Sequence, residues 1–388
     1  MDFAIPEELK MVQASVRKFV KDELMPLERD ILGREGDPTT GRVMLPPEEE
    51  ERLFNMVQEM GLWGVSVPEE LGGVGLPALG VCLVEEELAK CVVPFNFGDI
   101  SPILFDADEE QRKNYLQPLI DGEKHACLAL LEADGSDPAT MNTTAVSEDG
   151  YYIINGRKIC AVNAIDVGNF TMVFAVTDRE KGARGGVTCF LVDRDTPGFT
   201  TTGGGERAGR HAQVVEHINL IFDNCRVPAK NILGKEGEAF YLGMKWLPAR
   251  RIVRGARCVG AAERLLEISK EYAKNWQSLG RLIEQRPSVQ RDLADMAIEI
   301  HATRLMVFHA ACKADEEKDI HQEAAMVKVF ATEMVERAAD RATQIHGGPI
   351  YTKELPLSRL CRNAIAASTS EQALELQRAI IARDLLRY

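Results

Sequence analysis

From residue 236 to the C-terminus, apolar residues recur at helical spacing in four long segments, 237–278, 288–315, 320–346 and 370–386. Ala261, Leu265, Ile268 and Tyr272 carry the period in the first, and Leu293, Met296, Ile300 and Val307 carry it in the second. Long helices joined by short connections must bury their apolar stripes against one another, so this region predicts an up-and-down four-helix bundle.

The same period opens the chain. Residues 7–25 place Leu9, Val12, Val16, Phe19, Val20 and Leu24 on one face, with Pro6 before and Pro26 after, and 47–60, 77–91 and 108–121 read as further helices. Between them, Pro68-Glu69-Glu70-Leu71-Gly72-Gly73-Val74-Gly75 supplies the glycines of a tight turn. Near residue 126 the pattern changes to short β-rich runs at 151–154, 170–177, 187–192 and 218–222. Asp149-Gly150 and Asn155-Gly156 bracket the first run, and each reads as a type I′ turn. Short strands at close intervals predict a small β-barrel or sandwich. The chain thus reads as mainly α with a central β domain: an N-terminal helical domain over 1–125, a β domain over 126–234 and a C-terminal helical bundle over 235–388.

Charge and cysteine usage narrow the function classes. With 60 acidic against 46 basic residues the net charge is −14, which argues against nucleic acid or an anionic membrane surface as the partner. The nine cysteines are odd in number, scattered and never spaced C-x-x-C, so a reduced, cytoplasmic protein with no metal site is expected. No stretch reads as a signal peptide or a membrane span.

Two features suggest chemistry. Glu371 follows a run of small residues (Ala366, Ala367, Ser368, Thr369, Ser370) and precedes a helical pattern through Leu374, Gln377, Arg378, Ile381 and Leu385. A carboxylate there suits a general base whose pKa burial raises toward working pH, or alternatively a first-turn Glu complementing the helix dipole. Arg250, Arg251, Arg254 and Arg257 form the second feature, either a solvated helix face or a charged site.

Several motifs, in order along nearly the whole chain, resemble the acyl-CoA dehydrogenase family. They are the Pro68–Gly75 loop, Cys127-Leu128-Ala129-Leu130-Leu131-Glu132-Ala133-Asp134-Gly135-Ser136-Asp137, Gly156-Arg157-Lys158-Ile159-Cys160-Ala161-Val162-Asn163, Arg226-Val227-Pro228, Gln344-Ile345-His346-Gly347-Gly348 and the closing stretch around Glu371. The resemblance implies a three-domain fold of helices, strands and helices. It implies that Glu371 removes the α-proton of an acyl-CoA thioester while FAD takes the β-hydrogen as hydride.

By the same resemblance, Leu131, Gly135, Ser136, Cys160 and Val162 fall at positions that contact the flavin, and Ser136, Phe240 and Arg251 fall at positions along the acyl-CoA channel. Ser278, Leu279, Gln344, Gly347 and Gly348 fall where the family binds the adenosine diphosphate part of an FAD held by a neighbouring subunit. The residue types depart from the family at several of these places. Leu131 stands for a Thr, Cys160 for a Trp, Val162 for a Thr, Trp276 for an Arg, Leu279 for a Phe and Gln372-Ala373 for Gly-Thr; Arg281 or Arg286 could replace the charge lost at Trp276.

The resemblance implies an FAD-dependent dehydrogenase that passes electrons to an electron-transfer flavoprotein and assembles as a dimer or tetramer. The eroded flavin contacts leave two alternatives open: an FAD-poor subunit paired with a sister chain, and a non-redox acyl-CoA lyase using the same glutamate.

Overall fold

The computed structural model describes residues 5–33, 45–135, 140–161, 169–203 and 218–386. Its helices used below are α1 (Glu7–Phe19), α2 (Pro47–Glu59), α3 (Ala78–Leu88), α4 (Ala239–Asn275), α5 (Pro287–Asp315), α6 (His321–His346), α7 (Leu357–Ala367) and α8 (Leu374–Leu386). The segment expected as one helix over 7–25 is α1 continued by a π turn at Val20–Leu24 and a 3-10 turn at Met25–Leu27, where Pro26 interrupts the hydrogen-bond ladder.

Helix α3 is the centre of the helical part. Its Glu85, Glu86 and Glu87 are consecutive and all buried, and successive helical residues point about 100° apart, so each meets a different partner. Glu85 pairs with Arg257 on α4 at 2.6 Å, Glu86 with Arg304 on α5 at 2.9 Å and Glu87 with Arg17 on α1 at 2.7 Å. The main apolar core surrounds these pairs, joining Leu83, Ala256, Val259, Val307, Val327 and Ala331 from α3, α4, α5 and α6. Gly260 lets α4 lie directly on α3, since a Cβ there would stand 1.9 Å from the Glu86 carbonyl oxygen.

The β domain is an eight-stranded sheet, β1 (Ala126–Ala129), β2 (Thr144–Glu148), β3 (Tyr151–Ala161), β4 (Phe170–Val176), β5 (Val187–Asp193), β6 (Phe199–Gly203), β7 (Ile218–Pro228) and β8 (Ile232–Leu233). Its two halves, β6-β7-β3-β2 and β1/β4-β5-β8, join through the single ladder pair Thr144 and Val176 and enclose a shared core, the sandwich form of the expected barrel or sandwich. The other face of β4 and β5 packs on Leu104, Tyr115, Leu119 and the start of α4, so both strands are buried throughout apart from Asp193.

Asn155-Gly156 does not form the turn expected of it. Both residues lie inside β3, where the register shifts between Ile154 and Gly156. Gly156 has φ +153°, and a Cβ there would stand 2.5 Å from Thr143 Oγ1, while Asn155 Oδ1 accepts a bond from the Asn224 amide at 2.7 Å. The glycine serves a bulge and a close approach, which in sequence look the same as a hairpin.

Candidate active site

Helix α7 ends at the small-residue run. The hydroxyls of Ser368, Thr369 and Ser370 each donate to the carbonyl three residues back, at 2.9 Å, which competes with continuation of the helix. Lys328, fully buried on α6, donates to Ala367 O at 2.6 Å and to Ser368 O at 3.4 Å, so an ammonium caps the C-terminus of α7. Burial lowers the Lys328 pKa to about 8, with Glu371 acting against it.

The chain then reverses through Glu371 at φ +47° and Gln372 at φ +81°, and α8 begins only at Leu374. Glu371 is therefore held in a left-handed turn, not on the first turn of a helix as expected. Its side chain is 10% exposed and receives two bonds from Arg254 on α4, Nε to Oε2 and Nη2 to Oε1, both 2.9 Å. Arg251, 2% exposed, donates from Nη2 to Gln372 Oε1 at 2.6 Å. The residue beside the carboxylate is thus Arg254, while Arg251 braces the next position.

The electrostatics also correct the sequence reading. Burial does push the Glu371 pKa up, but Arg254, aided by Ser370 and Arg250, outweighs it and holds the carboxyl well below the usual carboxylate range. Nor is the arginine cluster a solvated face. Arg257 binds Glu85 and Asp99, and Arg250 also binds Asp99; burial of Asp99 is outweighed by these two guanidinium groups, which keep it ionised. A cavity of about 180 Å³ opens beside the turn, lined among others by Leu88, Phe95, Arg254, Arg257, Leu360 and Ser370.

The remaining candidates fall elsewhere. Phe240 sits in the first turn of α4, 14 positions and so about 21 Å along the axis from Arg254, against Tyr241 and Arg184. Leu131 and Gly135 flank Glu132, whose Oε1 accepts bonds from Lys158 Nζ at 2.8 Å and Thr143 Oγ1 at 2.6 Å and whose Oε2 accepts one from the Asn142 amide at 2.6 Å. Burial opposes ionisation of Glu132, yet these bonds lower its pKa to about 2. Cys160 lies in β3, and Ser136 and Val162 lie outside the described residues.

Ser278 and Leu279 form a hairpin beyond the far end of α4, with Leu279 94% exposed at φ +54°. The hairpin meets the tip of α6, because Tyr272 stacks between Trp276 and His346 at 5.3 and 4.5 Å. Gln344, Gly347 and Gly348 occupy that tip, and Gln344 is 16 positions, about 24 Å, along α6 from Lys328. Arg286 Nη2 donates to Ser278 O at 2.9 Å, so that guanidinium does reach the hairpin. Sequence reasoning missed Arg254 as the partner of Glu371, and Lys328 and Asp99 altogether; the dense arginine run was the only signal for the first.

Three domain descriptions match the chain: acyl-CoA dehydrogenase N-terminal domain over residues 6–123, middle domain over 127–225 and C-terminal domain over 237–386. The chain belongs to the acyl-CoA dehydrogenase family. It is 36% identical to the (R)-benzylsuccinyl-CoA dehydrogenase of Thauera aromatica over 401 residues, covering 100% of this chain and 97% of that protein. The butyryl-CoA dehydrogenase of Megasphaera elsdenii superposes with a TM-score of 0.86 at 31% identity and full coverage of both chains. The FAD complex of PigA superposes with 0.87 at 27% identity, again over the whole of both chains.

As an acyl-CoA dehydrogenase the chain is an oxidoreductase that uses FAD. The described residues fit that group. Gly135, Gly347 and Gly348 have nothing within 4 Å of where a Cβ would stand, so ligand atoms can reach their backbone, as the approach of a dinucleotide requires. No helix among the described residues is long and apolar enough to cross a membrane.

Proposed function

We propose that this acyl-CoA dehydrogenase converts an acyl-CoA thioester to its α,β-unsaturated product, with Glu371 taking the Cα proton. The observation that carries this reading is a carboxylate, 10% exposed, fixed by a left-handed turn beside a cavity between the helices. Such a group is ionised before substrate arrives, and its turn restricts where the carboxylate can reach, both of which removal of a carbon-bound proton needs. Bound FAD supplies the acceptor for the hydride that leaves Cβ.

Leu131, Gly135 and Cys160 on the β domain are the described residues proposed for the flavin end, and Arg251 for the substrate side of the turn. Ser278, Leu279, Gln344, Gly347 and Gly348 are proposed to serve the adenosine diphosphate of a second copy, which their separation from Glu371 along α4 and α6 supports. On this reading the working unit is a homo-oligomer, with an electron-transfer flavoprotein as the electron acceptor.

The test uses FAD-loaded protein mixed anaerobically with a panel of short acyl-CoA thioesters. Flavin absorbance should bleach with the wild type and stay unchanged with Glu371→Gln, although the variant still binds the thioester. Undiminished bleaching by Glu371→Gln would refute the assignment.

A further inference from the structure

Arg250, Arg251, Arg254 and Lys328 act on the Glu371 turn, Arg257 lies beside them, and their anionic partners are unevenly shared. Arg257 has two carboxylates, Glu85 and Asp99, and Arg250 has Asp99. Arg251 donates from Nη2 to the neutral Gln372, its buried Nε having no partner among the described residues, and Lys328 donates to backbone carbonyls. Arg254, 13% exposed, has Glu371 as its one carboxylate partner among the described residues, bound through Nε and Nη2. The same guanidinium lines the cavity beside the turn.

This arrangement conflicts with an uncharged acyl chain. When Glu371 accepts a proton it becomes neutral, and Arg254 is left as a buried cation with no counter-charge, an arrangement that proteins avoid. Before that step, the two-point bond to Arg254 also makes Glu371 a weak base. A second anion arriving with the substrate removes both difficulties, because it takes up Arg254 as Glu371 is neutralised.

We propose that Arg254 is the receptor for a carboxylate carried on the acyl group, so that the substrate class is the CoA half-thioester of a dicarboxylic acid, with the free carboxylate a few bonds from Cα. This rests on Glu371 being the base. The other cation that lines the cavity, Arg257, already holds two carboxylates, Glu85 and Asp99. Leu88, Phe95 and Leu360 form the apolar part of a wall that Asn96 and Asn363 also line.

The experiment compares glutaryl-CoA with pentanoyl-CoA, which has a similar chain without the carboxylate, on FAD-loaded wild type, Glu371→Gln, Arg254→Lys and Arg254→Gln. Calorimetry measures binding and flavin bleaching measures turnover. The wild type should bind glutaryl-CoA about 10- to 100-fold more tightly than pentanoyl-CoA, the range of a charge-assisted contact. Arg254→Gln should abolish that preference and Arg254→Lys should keep part of it. Glu371→Gln should bind glutaryl-CoA more tightly than the wild type does, with pentanoyl-CoA unaffected, because Arg254 is released; a purely structural role for Arg254 would not produce this. Equal binding and bleaching by the two thioesters in the wild type would overturn the proposal and leave the dehydrogenase reading intact. Bleaching of the Glu371→Gln enzyme by either thioester would remove the base assignment, and the proposal with it.

Discussion

Arg254 and Glu371 face each other as a two-point ion pair, 117 residues apart in sequence, with both hydrogen bonds at 2.9 Å. The pair decides the state of the carboxylate before substrate arrives. Removing Arg254 leaves burial as the dominant influence, which raises the pKa. The acid limb of the kcat/KM profile should therefore move upward in pH in Arg254→Gln, and a limb that stays in place would show that Arg254 does not set the charge of Glu371.

Lys328 links stability to alkaline pH. Its folded pKa of about 8 lies below the 10.5 of an exposed lysine, so between these values the unfolded chain holds a proton that the folded chain has released. Stability from this group should rise as pH climbs through that window, while below about pH 8 the burial cost is present in full. Lys328→Met should remove the rise and uncap α7. Urea denaturation at several pH values between 7.5 and 10 measures both effects.

Glu132 predicts the opposite limb. Its folded pKa of about 2 lies below the 4.5 of a free glutamate, so its contribution is present above about pH 4.5 and is lost as pH falls toward 2. Glu132→Gln should cost roughly 3 kcal/mol, because Lys158 would remain buried beside a neutral group. Its melting temperature should also depend less on acid than that of the wild type.

Gln372 sets strain against a contact. A side chain at φ +81° costs about 1 kcal/mol relative to glycine, whereas the charge-assisted bond from Arg251 contributes roughly 1.5–3 kcal/mol. The bond is the larger effect, so Gln372→Gly should be mildly destabilised. Gln372→Ala keeps the strain, loses the bond and should be worse. Thermal melts that rank alanine above glycine would contradict this balance.

The helices α4, α5 and α6 were legible in the sequence because they bury long apolar stripes, but the fourth helix of that core is the short α7, which was not expected, and not the 370–386 segment, where α8 buries only Gln377. The sandwich was legible as a class, but Asn155-Gly156 misled, since a bulge glycine and a turn glycine differ only in the strand laid beside them. The resemblance pointed to Glu371 and the residues to the arginine run, and the structure sets the two against each other. Which arginine meets the carboxylate was not legible. Arg251 and Arg254 lie three positions apart on one face of α4, and the left-handed turn at Glu371 and Gln372 decides which of them each side chain reaches.

The three successive glutamates of α3 carry an evolutionary consequence. Inserting or deleting one residue just before Glu85 would rotate all three carboxylates by about 100° and break their pairs with Arg257, Arg304 and Arg17 together. Descendants of this sequence can change length freely in surface loops, but the register of α3 is frozen for as long as any one of those arginines is kept.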